Sequence, residues 1–117
     1  MTQTDLYAFM ARHRLGVLGT ISQSATPQSA LMGIAITPKL EIIFDTVKSS
    51  RKYPNLISLP VCSFVVGGWG ASEQTVQYEG LAEELNPPEL EQCLVALVGA
   101  VCTRRFISRL GLMALRE

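Results

Sequence analysis

The sequence predicts a mainly β protein: an antiparallel barrel or sheet of five or six strands, with helices at its ends and one short helical insert. Three observations carry this. Runs rich in Val, Ile, Leu, Phe and Thr recur between Leu15 and Leu85, parted by polar or glycine-rich turns. Parallel strands need crossovers of about a dozen residues or more, and only the stretch around Ser50 approaches that length. Helical periodicity is confined to the start, that insert and the C-terminal part of the chain.

The first element is a short amphipathic helix over Thr4 to His13, opened by Thr4 and Asp5, with Leu6, Phe9, Met10 and His13 on one face. Leu15 to Ile21 is the first strand, ended by the polar turn Ser22 to Thr26. A second extended run, Pro27 to Thr37, is answered across Pro38-Lys39 by Leu40 to Thr46, which predicts a hairpin. Ser49 to Leu59 forms the helical insert, with Ser49 or Ser50 as cap and Pro54 near the first turn. Val61 to Val66 and Thr75 to Leu85 are further strands, parted by Gly67-Gly68-Trp69-Gly70. Tyr78 alternates with Val76 as a core or interface residue, and Trp69 is expected to pack in its turn.

Asn86-Pro87-Pro88-Glu89 then signals a helix start, and Leu90, Cys93, Leu94, Leu97, Val98 and Val101 recur at the spacing of a buried helical face. From Thr103 a further helical turn is expected to carry Phe106, Ile107, Leu110 and Met113. Arg104, Arg105, Arg109 and Arg116 then fall on a solvated face. The segment 92–117 is therefore predicted to be a helical tail.

A chain of 117 residues has room for one domain. Its hydrophobic share of 48% against 17% charged residues places it among globular proteins and rules out global disorder. Ten basic residues balance ten acidic ones, so no overall field draws the chain to nucleic acid or to an anionic membrane. The uncharged apolar stretch Cys93 to Cys102 is about half of a bilayer-spanning helix, and no membrane partner is expected. Met1 to Asp5 lacks the basic start and apolar run of a signal peptide, which makes the cytoplasm the expected compartment. Cys62, Cys93 and Cys102 form no C-x-x-C pair and read as reduced core thiols; with a single histidine, no metal set emerges.

Signatures of side-chain catalysis are absent: there is no G-x-G-x-x-G, P-loop, H-E-x-x-H or G-x-S-x-G motif. No catalytic side chain is assigned, and any chemistry is expected to reside in a bound cofactor. The informative stretch is Phe44 to Lys52, which leaves a strand and enters a helix. It gathers Lys48, Ser49, Ser50, Arg51 and Lys52, the hydroxyls, ammonium and guanidinium groups that a phosphate dianion requires. From composition alone, a phosphate site and a merely solvated helix start are equally good readings.

Together with Leu15-Gly16-Val17-Leu18-Gly19-Thr20, the following Pro27, and Tyr78-Glu79-Gly80-Leu81-Ala82, that stretch resembles the pyridoxamine 5'-phosphate oxidase-like family of FMN-binding split barrels over Leu6 to about Glu91. The resemblance implies an antiparallel split β-barrel. It also implies that Thr46, Ser50, Arg51 and Lys52 hold the flavin and its phosphate. Backbone from Ser29, Ala30 and Leu31 to Met32 would run beside the isoalloxazine, and Thr75 and Gln77 would come from the partner subunit. A homodimer with FMN at its interface, moving electrons to or from a small-molecule substrate, is the activity so implied. A non-catalytic module that binds flavin, deazaflavin or haem on the same barrel is the alternative. Authentic pyridoxamine phosphate oxidases carry a second-strand arginine and a late Arg-x-His pair. Here Gln28 to Leu31 stand in the first region and no late histidine occurs, so oxidation of vitamin B6 is not expected.

Overall fold

The structure is a computed structural model, and it describes residues 2–68, 74–85 and 103–116. Helix α1, Gln3–Ala11, begins one residue before the Thr4 start expected for it. Thr2 is the cap: its hydroxyl accepts from the Asp5 amide at 3.1 Å while the Asp5 carboxylate accepts from the Thr2 amide at 3.1 Å. Phe9 and Met10 turn into the core, and His13 lies against the Phe9 ring at 4.8 Å between centroids.

Seven strands follow: β1 Leu15–Ile21, β2 Pro27–Gly33, β3 Ala35–Ile36, β4 Ile42–Val47, β5 Val61–Gly67, β6 Thr75–Glu84 and β7 Thr103–Arg116. All neighbours are antiparallel, in the order β2-β1-β5-β6-β7-β4-β3. The first and last strands of that order, β2 and β3, are consecutive in the chain and separated only by Ile34. The sheet must therefore curl until its two edges meet, and this makes it a barrel. The expected mainly β, antiparallel architecture is the one observed.

The second extended run divides its pairing. Pro27 to Gly33 pairs along its whole length with β1, and only Ala35–Ile36 forms the expected hairpin with Ile42–Ile43. The break falls at Ile34, whose amide donates to the Arg14 carbonyl. The returning strand starts at Ile42 rather than Leu40 because Leu40 closes the turn with φ +63. Helix α2, Lys52–Ser58, sits between β4 and β5 as predicted, but without a serine cap. The Ser50 hydroxyl donates to the Val47 carbonyl at 2.7 Å, so it closes the turn leaving β4, and the cap position falls to Arg51.

The largest correction concerns the C-terminal segment. Residues 103–116, expected as helix, form β7 between β6 and β4, with every pairing antiparallel. Phe106, Ile107 and Ser108 are all buried, so both faces of this strand are covered at that point. A strand covered on both faces has no alternating pattern, and its apolar run resembles a buried helix in sequence. Arg105 and Arg109 do not lie on a helix face either. Arg105 makes a bidentate pair with Asp45, its partner across the strands, at 2.8 and 3.2 Å, and Arg109 bridges Glu41 and Glu83. The helix expected over 88–101, together with Trp69, Cys93 and Cys102, lies outside the described residues.

Inside the barrel an aromatic chain links the strands. Phe44 stacks on Phe106 at 5.6 Å and meets Phe64 edge-on at 5.3 Å, and Phe64 meets Tyr78 at 6.1 Å. The Tyr78 hydroxyl donates to the Ser108 carbonyl at 2.7 Å, and burial pushes its pKa up to about 12. Cys62 is a buried free thiol, as expected, 3.2 Å from the Ser108 hydroxyl, and burial raises its pKa also. At Gly80, where β6 slips register against β7, a Cβ would lie 2.5 Å from the Arg109 carbonyl and from the Ser108 hydroxyl. That position accepts glycine alone without displacement of β7.

Candidate functional site

Strand alternation assigns the two faces of the β1–β2 ribbon. Leu18, Thr20, Gln28 and Ala30 point to the side on which α2 lies, whereas Gly19, Ile21, Ser29 and Leu31 point outward. Helix α2 is fastened to this ribbon by polar contacts. Asn55 donates to the Thr20 hydroxyl at 3.1 Å and to the Gln28 carboxamide oxygen at 2.8 Å, and Gln23 donates to Ser58 at 3.1 Å. These bonds hold the middle and the end of α2 against the β1–β2 hairpin.

Between them lies a cavity of about 160 Å³. Leu18, Thr20 and Ala30 supply its wall from the strands, Gln28 and Ser29 its rim, and Ser50, Arg51 and Lys52 the opposite side. Two cations and the side chains of Thr20, Gln28 and Ser50 thus converge, with no carboxylate among the lining residues. A pocket of that composition favours an anion, because both charge and hydrogen bonding act in the same sense. A second, larger concavity of about 600 Å³ lies on the outward face of β2, β1, β5 and β6. Ile21, Pro27, Val61 and Leu81 make it aliphatic, and Glu79 is its one charged side chain, so it offers an anion nothing.

Of the residues expected from the sequence, Ser29, Ala30, Ser50, Arg51 and Lys52 meet in the cationic cavity. Ser50 has spent its hydroxyl proton on Val47 and presents lone pairs there. Thr46 alternates with Ile42 and Phe44 on the buried face of β4, and its hydroxyl oxygen has no hydrogen-bond partner among the described residues. Leu31 and Gln77 lie on the outer face at opposite ends of one cross-strand row, Leu31–Val17–Val65–Gln77, and Thr75 pairs with Gly67. None of these three lines the cavity. Thr20, Gln28 and Asn55 were not legible as site residues. The available signal was Asn55 itself, a weak helix former in mid-helix beside a proline.

No group of three or more His, Cys, Asp and Glu residues that could hold a metal occurs among the described residues, and no described helix is long and apolar enough to cross a membrane. Solved structures share the fold at low identity. General stress protein 26 from Bacillus anthracis matches with a TM-score of 0.79 and 17% identity over 97% of this chain and 92% of that one. A FAD-binding protein from Mesorhizobium loti matches with a TM-score of 0.78 and 14% identity over 98% and 94%. A heme-binding protein from Mycobacterium smegmatis gives 0.78 and 15% over 99% of this chain and 58% of that one. No curated protein matches the chain in sequence. The family model described as pyridoxamine 5'-phosphate oxidase spans residues 3–111, nearly the whole chain, and its reach covers the β1–β2 ribbon, the turn at Ser50 and β7 alike. On that match the chain belongs to the pyridoxamine 5'-phosphate oxidase family.

Proposed function

We propose that this protein binds FMN, with the phosphate in the cationic cavity, and works as a homodimeric flavoprotein oxidoreductase on a small molecule. The observation that carries the reading is the convergence of Arg51 and Lys52 with Thr20 and Gln28 in a cavity without a carboxylate. Bound FMN would supply the redox chemistry; the chain's own residues would bind and orient it. Arg51 and Lys52 neutralise the phosphate, and Thr20 and Gln28 hydrogen-bond its oxygens. Membership of the family and the FAD-binding protein of the same fold support a flavin.

A cavity of about 160 Å³ is smaller than the roughly 300 to 1,000 Å³ of typical ligand sites, so one chain encloses only the phosphate end. The remainder is expected from a second copy, seated on the exposed Leu31, Val65 and Leu81 of the outer face. Haem is disfavoured in this cavity, since its lining contains no His, Cys, Met or Tyr to serve as an axial ligand. A deazaflavin would use the same phosphate contacts and is distinguished by its spectrum.

The test is titration of the purified protein with FMN and with riboflavin. Arg51→Ala or Lys52→Ala should weaken FMN by about 1.5 to 3 kcal/mol per lost charge-assisted contact and riboflavin much less. Equal losses for both ligands would remove the phosphate assignment.

A further inference from the structure

We infer that Asn55 is a positioning residue that sets the hydrogen-bonding polarity of the anion cavity by acting through Gln28. The inference rests on the reading of that cavity as a phosphate site. Asn55 is 5% exposed, in the middle of α2, where an asparagine is a poor helix former and its amide is costly to bury without partners. Its Nδ2 donates to Gln28 Oε1 at 2.8 Å and to Thr20 Oγ1 at 3.1 Å, so both amide protons are spent on neighbours that line the cavity.

The consequence follows from what each neighbour has left. Gln28 is a carboxamide with one acceptor end and one donor end. With Oε1 held by Asn55, the donor end Nε2 remains, and it has no protein partner among the described residues. Thr20, accepting from Asn55 through its oxygen, keeps its own proton to give. Asn55 thus turns two side chains of either polarity into donors, on the wall that faces Arg51 and Lys52. Donors beside two cations select the oxygens of a phosphate monoester over any ligand with protons at that point. Carboxylates at either position would reverse the setting. Asp at 55 would accept from Gln28 Nε2 and from the Thr20 hydroxyl, and leave acceptors facing the ligand. Glu at 28 would keep the bond from Asn55 while replacing the free donor by a charged acceptor.

The experiment titrates wild type, Gln28→Leu, Gln28→Glu, Asn55→Ala and the Asn55→Ala/Gln28→Leu double variant with FMN and with inorganic phosphate, following melting temperature alongside. Gln28→Leu and Asn55→Ala are each expected to weaken FMN roughly tenfold, the loss of one hydrogen bond to a charged or polar group. The double variant should be no weaker than the worse single, because Asn55 acts through Gln28. Gln28→Glu should weaken both ligands about a hundredfold with an unchanged melting temperature, since it sits on an edge strand and still satisfies Asn55. Losses that multiply in the double variant, or a Gln28→Glu protein that binds as tightly as wild type, overturn the inference. If Asn55→Ala does not fold, Gln28→Glu decides alone. A wild type that binds neither ligand sinks the phosphate site and the inference together. A wild type that binds FMN, with all variants unchanged, sinks the inference only.

Discussion

Thr46, Tyr78 and Cys62 show how single buried polar groups constrain this barrel. An unpartnered buried hydroxyl costs about 1 to 3 kcal/mol, and Thr46 carries one on the core face of β4. Thr46→Val should therefore keep or raise the stability of the ligand-free protein, by about 1 kcal/mol, in denaturant unfolding. A clear fall would mean that the hydroxyl has a partner. Tyr78 and Cys62 give a pH dependence. The unfolded chain releases these protons near the ordinary values of 9.0 for the thiol and 10.0 for the phenol, whereas burial holds both to higher pH in the fold, the phenol to about 12. The folded state thus binds more protons in this window, so the stability they contribute is complete below about pH 9 and is lost as pH rises towards about 12. Tyr78→Phe should flatten the part of that loss between pH 10 and 12, and unchanged alkaline unfolding in this variant would contradict the assignment.

At the scale of elements, β7 decides whether the barrel exists. It hydrogen-bonds β4 along residues Ile42 to Val47 and β6 along Thr75 to Glu84, and the Asp45–Arg105 pair ties it to β4. Removal of residues 103–117 would expose both ladders and uncover Phe44, which stacks on Phe106. The expected result is loss of cooperative unfolding, read by circular dichroism. A truncated protein that melts as the intact one does would show that the remaining strands close by themselves. Helix α2 is the second decisive element, since it carries Arg51 and Lys52 at its start and Asn55 on its buried face. Its position was legible from Ser49 to Leu59, but its start was not: Ser50 could cap the helix or close the turn from β4, and the Val47 carbonyl 2.7 Å away determines which.

For the whole molecule, barrel closure places the apolar outer face of β2, β1, β5 and β6 towards solvent, with Leu31 and Leu81 more than half exposed. A two-fold dimer on that face should bury more than about 1,000 Å² in total. Sedimentation at micromolar concentration is expected to give a dimer, and Leu31→Glu should dissociate it and weaken FMN at the same time. A monomer that still binds FMN fully would refute a shared site.

Strands β1, β5 and β6 were legible in the chain, because hydrophobic runs, turn residues and short connections are local signals, whereas β7 read as helix and β2 and β3 as one strand. Leu15–Ile21 was legible to the residue, and β5 and β6 to within one at either end. The sequence also placed the cationic cluster, since Ser50, Arg51 and Lys52 are neighbours in the chain. Tertiary structure alone decided which strands pair and which polar groups converge. The run after Pro27 reads as one strand, yet its parts serve opposite edges of the sheet, a division set at Ile34 by the bond to Arg14. Phe106 and Ile107 fit a helix or a strand covered on both faces equally well, and the open ladders of β4 and β6 select the strand. Gln28 and Asn55, 27 positions apart, acquire a role only when the fold brings them within 2.8 Å. Local patterns fix what each segment can form, whereas hydrogen-bond partners and buried faces are supplied by distant parts of the chain, and these decided the strand β7 and the polarity of the site.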